Sequence, residues 1–235
     1  IYSDLYWPYF NIGVLYWNKL EYSKALIYYK KAYSIDNQNT EIIISIADCY
    51  YFKENYLKAL DYYKEALRVD PEQYWAWYGI GNIYQNKSTY DSALIYYKKA
   101  YELDSTTSNA TQGIAVSLRE LGRYNECLPF YQKAFDLGDE TYHSRAYAYI
   151  KLNRWEEALA DLQKAEDTQA DNFWLYFYYA CYHAELKQKE RAINYLQAAI
   201  DKGFADKERL LTEISLQNIQ REPEFIDLLN SLEEQ

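Results

Sequence analysis

The chain of 235 residues repeats itself at a nearly constant interval, and this periodicity constrains its fold more than any other feature. Each copy carries Ala or Cys, then Tyr or Leu four residues later, then Ala three residues after that. This spacing places all three side chains on one face of a helix. Copies follow one another after 34 residues, with one interval of 31, and they are centred on Ala25, Ala59, Ala93, Cys127, Ala158 and Ala192. Six copies predict a stack of repeated helical units.

Each repeated unit also contains another helical pattern, which lies N-terminal to the one just described. Here a large residue is followed by a small one at a fixed place, as in Ile46-Ala47 and Ile80-Gly81. Small residues let two helix axes approach closely, while Tyr or Leu fills the groove beside them. We therefore predict six units, each an antiparallel helix pair, that span residues 6–39, 40–73, 74–107, 108–138, 139–172 and 173–206.

The two ends of the chain fall outside the repeat. The chain begins at Ile1 without a methionine, so we expect residues 1–5 to be the remnant of a longer N-terminal segment. Residues 207–235 are predicted to form capping helices, because the last unit of a stack would otherwise expose an apolar face. Apolar residues at helical spacing over 210–219 predict one helix, and Glu222-Pro223 predicts the start of another. The apolar residues predicted to pack this last helix onto the sixth unit are Phe225, Ile226, Leu228, Leu229 and Leu232.

The third unit carries the residues of a known repeat signature. In order along the chain they are Trp77, Ile80, Gly81, Tyr84, Ala93, Tyr97 and Ala100. This pattern resembles the tetratricopeptide repeat almost position by position, and the second unit adds the terminal Pro71. The resemblance implies an all-α fold, a right-handed superhelical solenoid of antiparallel helix pairs. The fifth unit departs from the pattern, since Arg145 stands at a usually apolar position.

Positions that change from unit to unit are the candidates for binding, because positions that recur serve the stack. In the tetratricopeptide family the first helix of each unit lines a concave groove, which implies a protein or peptide partner. The candidate binding residues on the first helices are Trp7, Phe10, Asn11, Asp48, Trp75, Tyr78, Asn82, Asn86, Gln112, Arg119, Tyr147, Trp174 and Phe177. Aromatic rings can bury the side chains of a guest, while amides satisfy its backbone groups. We expect the groove to hold an extended or helical segment of a partner.

Many of the aromatic residues have a structural reading as well. Thirty tyrosines are present, and at least twelve of them, four each at the repeat places of Tyr16, Tyr22 and Tyr29, are predicted to lie in the core. Some rings of the predicted groove could likewise cover neighbouring helices. One subset of the family clamps a C-terminal carboxylate with Lys, Arg and Asn, but the corresponding places here hold Phe10, Val14, Ser45, Trp75 and Gly79. Binding of that type is not expected.

Two further readings stay open beside the binding scaffold. The chain could be a self-association module and hence a homo-oligomer, or the regulatory domain of a larger multidomain protein. The net charge of −10 argues against nucleic acid as a partner, and no apolar stretch reaches the length of a membrane span.

Catalytic chemistry and cofactors are not expected. His143 and His183 have no nucleophile or acid at a catalytic spacing, and no phosphate-binding loop or metal motif occurs. The three cysteines are interpreted as small buried thiols. We predict a non-enzyme without cofactor, metal or membrane insertion. Its location is left open, with a reducing cytoplasm favoured.

Overall fold

A computed structural model describes residues 3–232, which form α-helices and two short 3-10 helices without a β-strand. The helices group into two compact units, each larger than one of the six predicted repeats. The first unit ends at Leu121, and the second unit begins at Gly122. Within the described residues, no helix has both the length and the apolar character needed to cross a bilayer. Of the predicted end segments, residues 1–2 and 233–235 lie outside the described part.

The first unit opens with a 3-10 helix over Ser3–Tyr6 and continues with seven α-helices. These are α1 Trp7–Asn18, α2 Tyr22–Tyr33, α3 Thr40–Phe52, α4 Tyr56–Val69, α5 Tyr74–Asn86, α6 Tyr90–Leu103 and α7 Ser108–Glu120. Helices α1 to α6 form three antiparallel pairs, and α3 lies beside α5 as α5 lies beside α7.

The second unit contains the remaining helices. These are α8 Tyr124–Asp136, α9 Tyr142–Lys151, α10 Trp155–Gln169, α11 Phe173–Glu185, α12 Lys189–Asp201, α13 Lys207–Thr212 and α14 Pro223–Ser231, with a 3-10 helix over Ile214–Leu216. Helices α9 and α10 pair, as do α11 and α12. The predicted all-α class of paired helices is confirmed. The division of residues 6–206 into six repeats remains a proposal.

Buried tyrosines hold the helix pairs of the first unit together. The ring of Tyr97 lies between two glycines, and a Cβ atom added at Gly81 or Gly113 would approach it to 2.6 or 2.8 Å. Tyr29 lies against Gly13 in the same way. Helix axes can come this close only where one side contributes no side chain. The glycines are therefore part of the packing of the tyrosines.

The prediction of twelve core tyrosines is confirmed in part. Tyr29, Tyr63, Tyr97 and Tyr131 are almost fully buried, as expected for side chains that occupy the groove between small residues. Tyr50 is also buried. The other tyrosines at these repeat places are only partly buried. The three cysteines are buried, as predicted.

The turn that follows each odd-numbered helix from α1 to α11 uses one residue with positive φ. The residues are Leu20, Glu54, Ser88, Gly122, Asn153 and Lys187, with φ between 54° and 74°. Only glycine adopts this conformation without a cost, which is about 1–2 kcal/mol for other residues. Helix packing on both sides of the turn therefore overrides local preference.

The departure at Arg145 is compensated inside the second unit. Its guanidinium forms two hydrogen bonds with the carboxylate of Asp161 at 2.6 and 2.8 Å, and a third with Gln132 at 2.8 Å. The same group lies over the ring of Phe135. Asp161 stands at the repeat place that holds tyrosine in Tyr28 and Tyr62, so a charged pair replaces an apolar contact.

The C-terminal region differs from the prediction. The helix expected over 210–219 ends at Thr212, because Glu213 adopts an extended backbone and turns its side chain toward α9. The predicted helix start at Pro223 is confirmed. The prediction for Ile226 is wrong: this side chain is 45% exposed, since the buried face of α14 carries Phe225 and Leu228.

The glycines around Tyr97 provide a test of this packing. Ala favours a helix over Gly by about 1 kcal/mol. We nevertheless expect Gly81→Ala with Gly113→Ala to lower the free energy of unfolding by about 1–3 kcal/mol, because the ring cannot move away from both new methyl groups. Urea unfolding followed by circular dichroism measures this. Adding Tyr97→Leu should restore part of the loss, and a gain in stability for the double variant would contradict the packing.

Candidate functional site

A cavity of about 330 Å³ opens between α3 and α5 in the first unit. Its lining residues are Asp48, Tyr51, Phe52, Tyr63, Trp75, Tyr78, Gly79 and Asn82. Four of the predicted binding residues, Asp48, Trp75, Tyr78 and Asn82, therefore meet at one place. Tyr63 was assigned to the core by the repeat pattern, which did not reveal that the end of its side chain reaches this cavity.

Tyr63 forms the floor of the cavity. Its ring lies so close to Gly79 that an added Cβ atom would clash with it, so glycine is required at this position of α5. The hydroxyl of Tyr63 donates a hydrogen bond to Oδ1 of Asp48 on α3. The tyrosine thus links two first helices and also orients the carboxylate.

The walls of the cavity are aromatic and held in place by one another. Trp75 meets Tyr78 edge to face at 5.9 Å between ring centroids, and Tyr78 packs on Tyr97 at 5.7 Å. The side chains of Trp75 and Phe52 remain 52% and 50% exposed. Rings held in position but left open to solvent can bury a guest side chain with little loss of conformational entropy.

The amides of this region are already used inside the protein. Oδ1 of Asn82 accepts a hydrogen bond from Tyr97 at 2.7 Å, and Gln85 lies 3.0 Å from the same hydroxyl. Asn86 donates to the hydroxyl of Tyr51 at 2.8 Å. Their geometry indicates that they satisfy tyrosine hydroxyls at the rim, which is a structural role that the sequence pattern did not reveal.

Asp48 is the charged group of the cavity. Burial raises the pKa of its carboxyl to about 6, although the hydrogen bond from Tyr63 acts in the opposite direction. Among residues 3–232, Asp48 forms no ion pair with a lysine or arginine. A carboxylate is thus held beside aromatic rings with no counter-ion from the described chain.

The remaining predicted residues of the first unit lie elsewhere. Trp7 and Asn11 are exposed on α1, whereas Phe10 is buried against Tyr29 with ring centroids 5.4 Å apart. On α7, Gln112 is partly buried, and Arg119 is buried and paired with Glu120 at 2.6 Å. Phe10 and Arg119 are corrected from binding candidates to packing residues, because little of either side chain reaches solvent.

In the second unit the predicted groove is covered by the chain itself. Phe204 stacks on Phe177 at 5.0 Å and contacts Trp174 edge to face at 5.5 Å. The hydroxyl of Tyr147 donates to Glu213 at 2.6 Å. Tyr147 and Phe177 are therefore buried, and these binding candidates are corrected to residues that hold the C-terminal segment.

Glu213 is the anchor of this segment. Its carboxylate accepts hydrogen bonds from Lys151 at 2.7 Å and from Tyr147, while Lys151 also reaches Ser215 at 2.8 Å. Burial alone would raise the pKa of Glu213, but Lys151 and these hydrogen bonds outweigh it and lower the pKa. The sequence carried no signal for this residue, since a lone acid between apolar residues is typical of a solvated helix face.

Other parts of the described chain have fewer features of a binding site. A cavity of about 690 Å³ lies between α12 and α14, and one of about 560 Å³ borders α4, α5 and α6. Neither contains a residue predicted for binding. Within residues 3–232 no cluster of His, Cys, Asp and Glu is suited to a metal ion. Burial raises the pKa of Cys49 to about 12, which keeps its thiol protonated.

Comparison with family models finds repeat matches along much of the chain. Two tetratricopeptide repeat models match residues 8–39 and 45–107. A model described as anaphase-promoting complex, cyclosome, subunit 3 matches residues 86–165. No curated protein sequence matches the chain.

Solved structures with the same fold are numerous, and three illustrate the likeness. A tetratricopeptide repeat protein from Parabacteroides merdae is 23% identical, with a TM-score of 0.66 over 99% of this chain and 85% of that one. PilF from Pseudomonas aeruginosa is 15% identical, with a TM-score of 0.72 over 92% and 97%. YrrB, described as a TPR protein with an unusual peptide-binding site, is 21% identical, with a TM-score of 0.61 over 74% and 92%. At these identities the likeness establishes the fold.

The charge of Asp48 is expected to lower stability at neutral pH. Its native pKa of about 6 lies above the ordinary 3.8, so its stabilising contribution is fully present below pH 3.8 and is lost as the pH rises through 6. We compare the free energy of unfolding of Asp48→Asn with that of the native chain. The difference in favour of the variant should grow by about 1–3 kcal/mol from pH 4 to pH 7.5. Urea unfolding at both pH values measures the gain. Asp61→Asn, at an exposed position of α4, is the control, and an equal pH-dependent gain there would contradict the assignment.

Glu213 is expected to act in the opposite sense. Because its native pKa is lowered, its contribution to stability is present above pH 4.5 and is lost as the pH falls through the native pKa. We expect Glu213→Gln to cost about 2–4 kcal/mol at pH 7, since it leaves Lys151 buried without its counter-ion.

Two measurements check this role of Glu213. Urea unfolding gives the loss of free energy, and amide hydrogen exchange over residues 204–216 reports whether the C-terminal segment loosens. Glu222→Gln removes an acid from the more exposed pair with Lys189 and should change stability by less than about 1 kcal/mol. Equal effects of the two substitutions would show that Glu213 is not an anchor.

Proposed function

The chain belongs to the tetratricopeptide repeat family, and from this premise we propose that it is a non-catalytic scaffold whose first unit binds a segment of another protein. This repeat fold is that of protein-interaction scaffolds. The proposed binding site is the cavity between α3 and α5 together with the exposed rings around it. The guest is an extended or helical peptide segment that lies along the first helices.

The observation that carries the proposal is the contrast between the two units. In the second unit, Phe204 and Glu213 of the same chain cover the faces of α9 and α11. In the first unit Trp75, which stands at the repeat place of Trp174, remains 52% exposed, and the neighbouring Phe52 remains 50% exposed. A soluble scaffold that covers one such face with its own chain and leaves another open has a surface suited to a guest.

The covered face also indicates what a guest would need. There, one ring inserts beside Phe177, and one acidic side chain is bound by a lysine and a tyrosine hydroxyl. An apolar anchor with one charged contact is a common arrangement in peptide recognition. YrrB, a structural neighbour, is described as having a peptide-binding site, which supports a similar use of this fold.

Self-association is a second candidate function. The N-terminal 3-10 helix and α1 expose Leu5, Trp7, Tyr9 and Leu15, which are between 38% and 62% accessible. A helix that is apolar on nearly all sides is typically covered by another element. A second copy of the chain could provide that cover, and light scattering across a range of concentrations would show a change in mass.

The groove is tested by removing its exposed rings. We expect Phe52→Ala with Trp75→Ala to abolish most partner capture from a native lysate, because both rings contribute open apolar surface. The free energy of unfolding should fall by about 1–3 kcal/mol, since each ring is about half buried against its neighbours, and urea unfolding checks that the variant remains folded. Quantitative mass spectrometry of the captured proteins measures the effect.

A matched control removes apolar surface elsewhere in the same unit. Leu57→Ala with Ile95→Ala changes two side chains on α4 and α6 that are 71% and 62% exposed. This variant should capture the same proteins as the native chain. If the groove variant retains its partners, or if both variants lose them equally, the binding site is not the cavity between α3 and α5.

A further inference from the structure

Resting on the proposed function, we propose that the cavity between α3 and α5 takes a lysine or arginine side chain of the bound segment. Asp48 is the counter-ion for its charge, and the rings of Trp75 and Tyr78 line its path. The groove then selects for a basic residue at one position of the guest.

The carboxylate of Asp48 has capacity for such a partner. A carboxylate can accept about four hydrogen bonds. One donor, the hydroxyl of Tyr63, is provided by the chain. Asp48 also lines the cavity, and no lysine or arginine within residues 3–232 pairs with it. A cation entering from the guest would therefore find a partly desolvated anion without a competitor.

The third repeat shows that packing alone does not require a charge at this position. Asn82 stands 34 residues after Asp48 and accepts the hydroxyl of Tyr97 at 2.7 Å. Tyr97 is the counterpart of Tyr63 at the same interval. An amide oxygen thus performs the structural task that Asp48 performs for Tyr63. The negative charge is left without a structural use.

The aromatic lining suits a basic side chain in particular. Cations bind the faces of Trp and Tyr, and the aliphatic stems of Lys and Arg pack on rings while the charged end reaches an anion. An apolar guest would leave the carboxylate of Asp48 buried without a counter-ion, and an acidic guest would be repelled by it. The net charge of −10 also favours basic partners at longer range.

The surroundings of Asp48 isolate its titration. The groups that face it from its own and neighbouring helices are Tyr29, Cys49, Tyr51, Tyr63 and Tyr78. The pKa of each is raised above its ordinary value by burial, so all stay neutral between pH 5 and 8. The raised pKa of Asp48 itself is consistent with a carboxyl that lacks a cation. A bound lysine would lower that pKa.

Selection from a random peptide library tests the proposal directly. Displayed heptapeptides, blocked at both ends so that no free terminal charge contributes, are selected on the native chain, on Asp48→Asn and on Glu41→Gln. Glu41 is an exposed acid on the same helix outside the cavity, so its substitution matches the loss of charge. We expect enrichment of Lys or Arg at one position with the native chain and with Glu41→Gln, and loss of that enrichment with Asp48→Asn.

Affinities of one selected peptide give the second readout. Replacing its basic residue with norleucine should weaken binding to the native chain about tenfold and binding to Asp48→Asn by less than about threefold. Between pH 7.5 and pH 5 the native chain should lose about tenfold in affinity for the basic peptide, and Asp48→Asn should not.

The outcomes separate the two proposals. The inference of a basic residue would be overturned by peptides selected without a preference for Lys or Arg, or with a preference that persists in Asp48→Asn. Neither result would contradict the proposed binding site. If no peptide binds the native chain, the proposed function fails and the inference fails with it. A peptide that binds the Phe52→Ala, Trp75→Ala variant as well as it binds the native chain would also show that the cavity is not its site.

Discussion

The contact between a buried tyrosine and a glycine of a neighbouring helix underlies the structure of the first unit. Tyr97 packs between Gly81 and Gly113, and Tyr63 packs against Gly79. The rings fill the space between helices that approach closely, and the small residues allow that approach. A buried ring of tyrosine, unlike that of phenylalanine, brings a hydroxyl that must be hydrogen-bonded. The packing therefore requires a hydrogen-bond acceptor on the first helices.

This need for a hydrogen-bond acceptor links the core to the candidate site. The hydroxyls of Tyr63 and Tyr97 reach α3 and α5, where Asp48 and Asn82 accept their hydrogen bonds. Either residue satisfies a hydroxyl, but only the carboxylate adds a charge, and burial makes that charge costly at neutral pH. Functional sites commonly carry such destabilising groups. Asp48 therefore connects the stability of the stack with the chemistry of its guest.

The second unit solves the same packing problem differently. Tyr131 of α8 keeps the tyrosine, but Leu162 and Leu196 replace it in the next two repeats, so no hydroxyl has to be satisfied at those two places. Its first helices instead receive Phe204 and Glu213 from the C-terminal segment. Buried apolar contacts and one buried ion pair hold this segment. The open surface on first helices is consequently clearest around α3 and α5.

The sequence by itself determined the helical class, the pairing of helices and the buried tyrosines at the Tyr29 place, because side-chain size at a 34-residue interval dictates which helix faces can meet. It also indicated Asp48, Trp75, Tyr78 and Asn82, since these positions vary between repeats. Only the tertiary structure decided that Phe10, Arg119, Tyr147 and Phe177 are buried and that Glu213 is an anchor. Those outcomes depend on contacts between distant parts of the chain, and a repeat pattern records only what recurs. The cover of one face by residues after 203 occurs once, so no periodicity could reveal it.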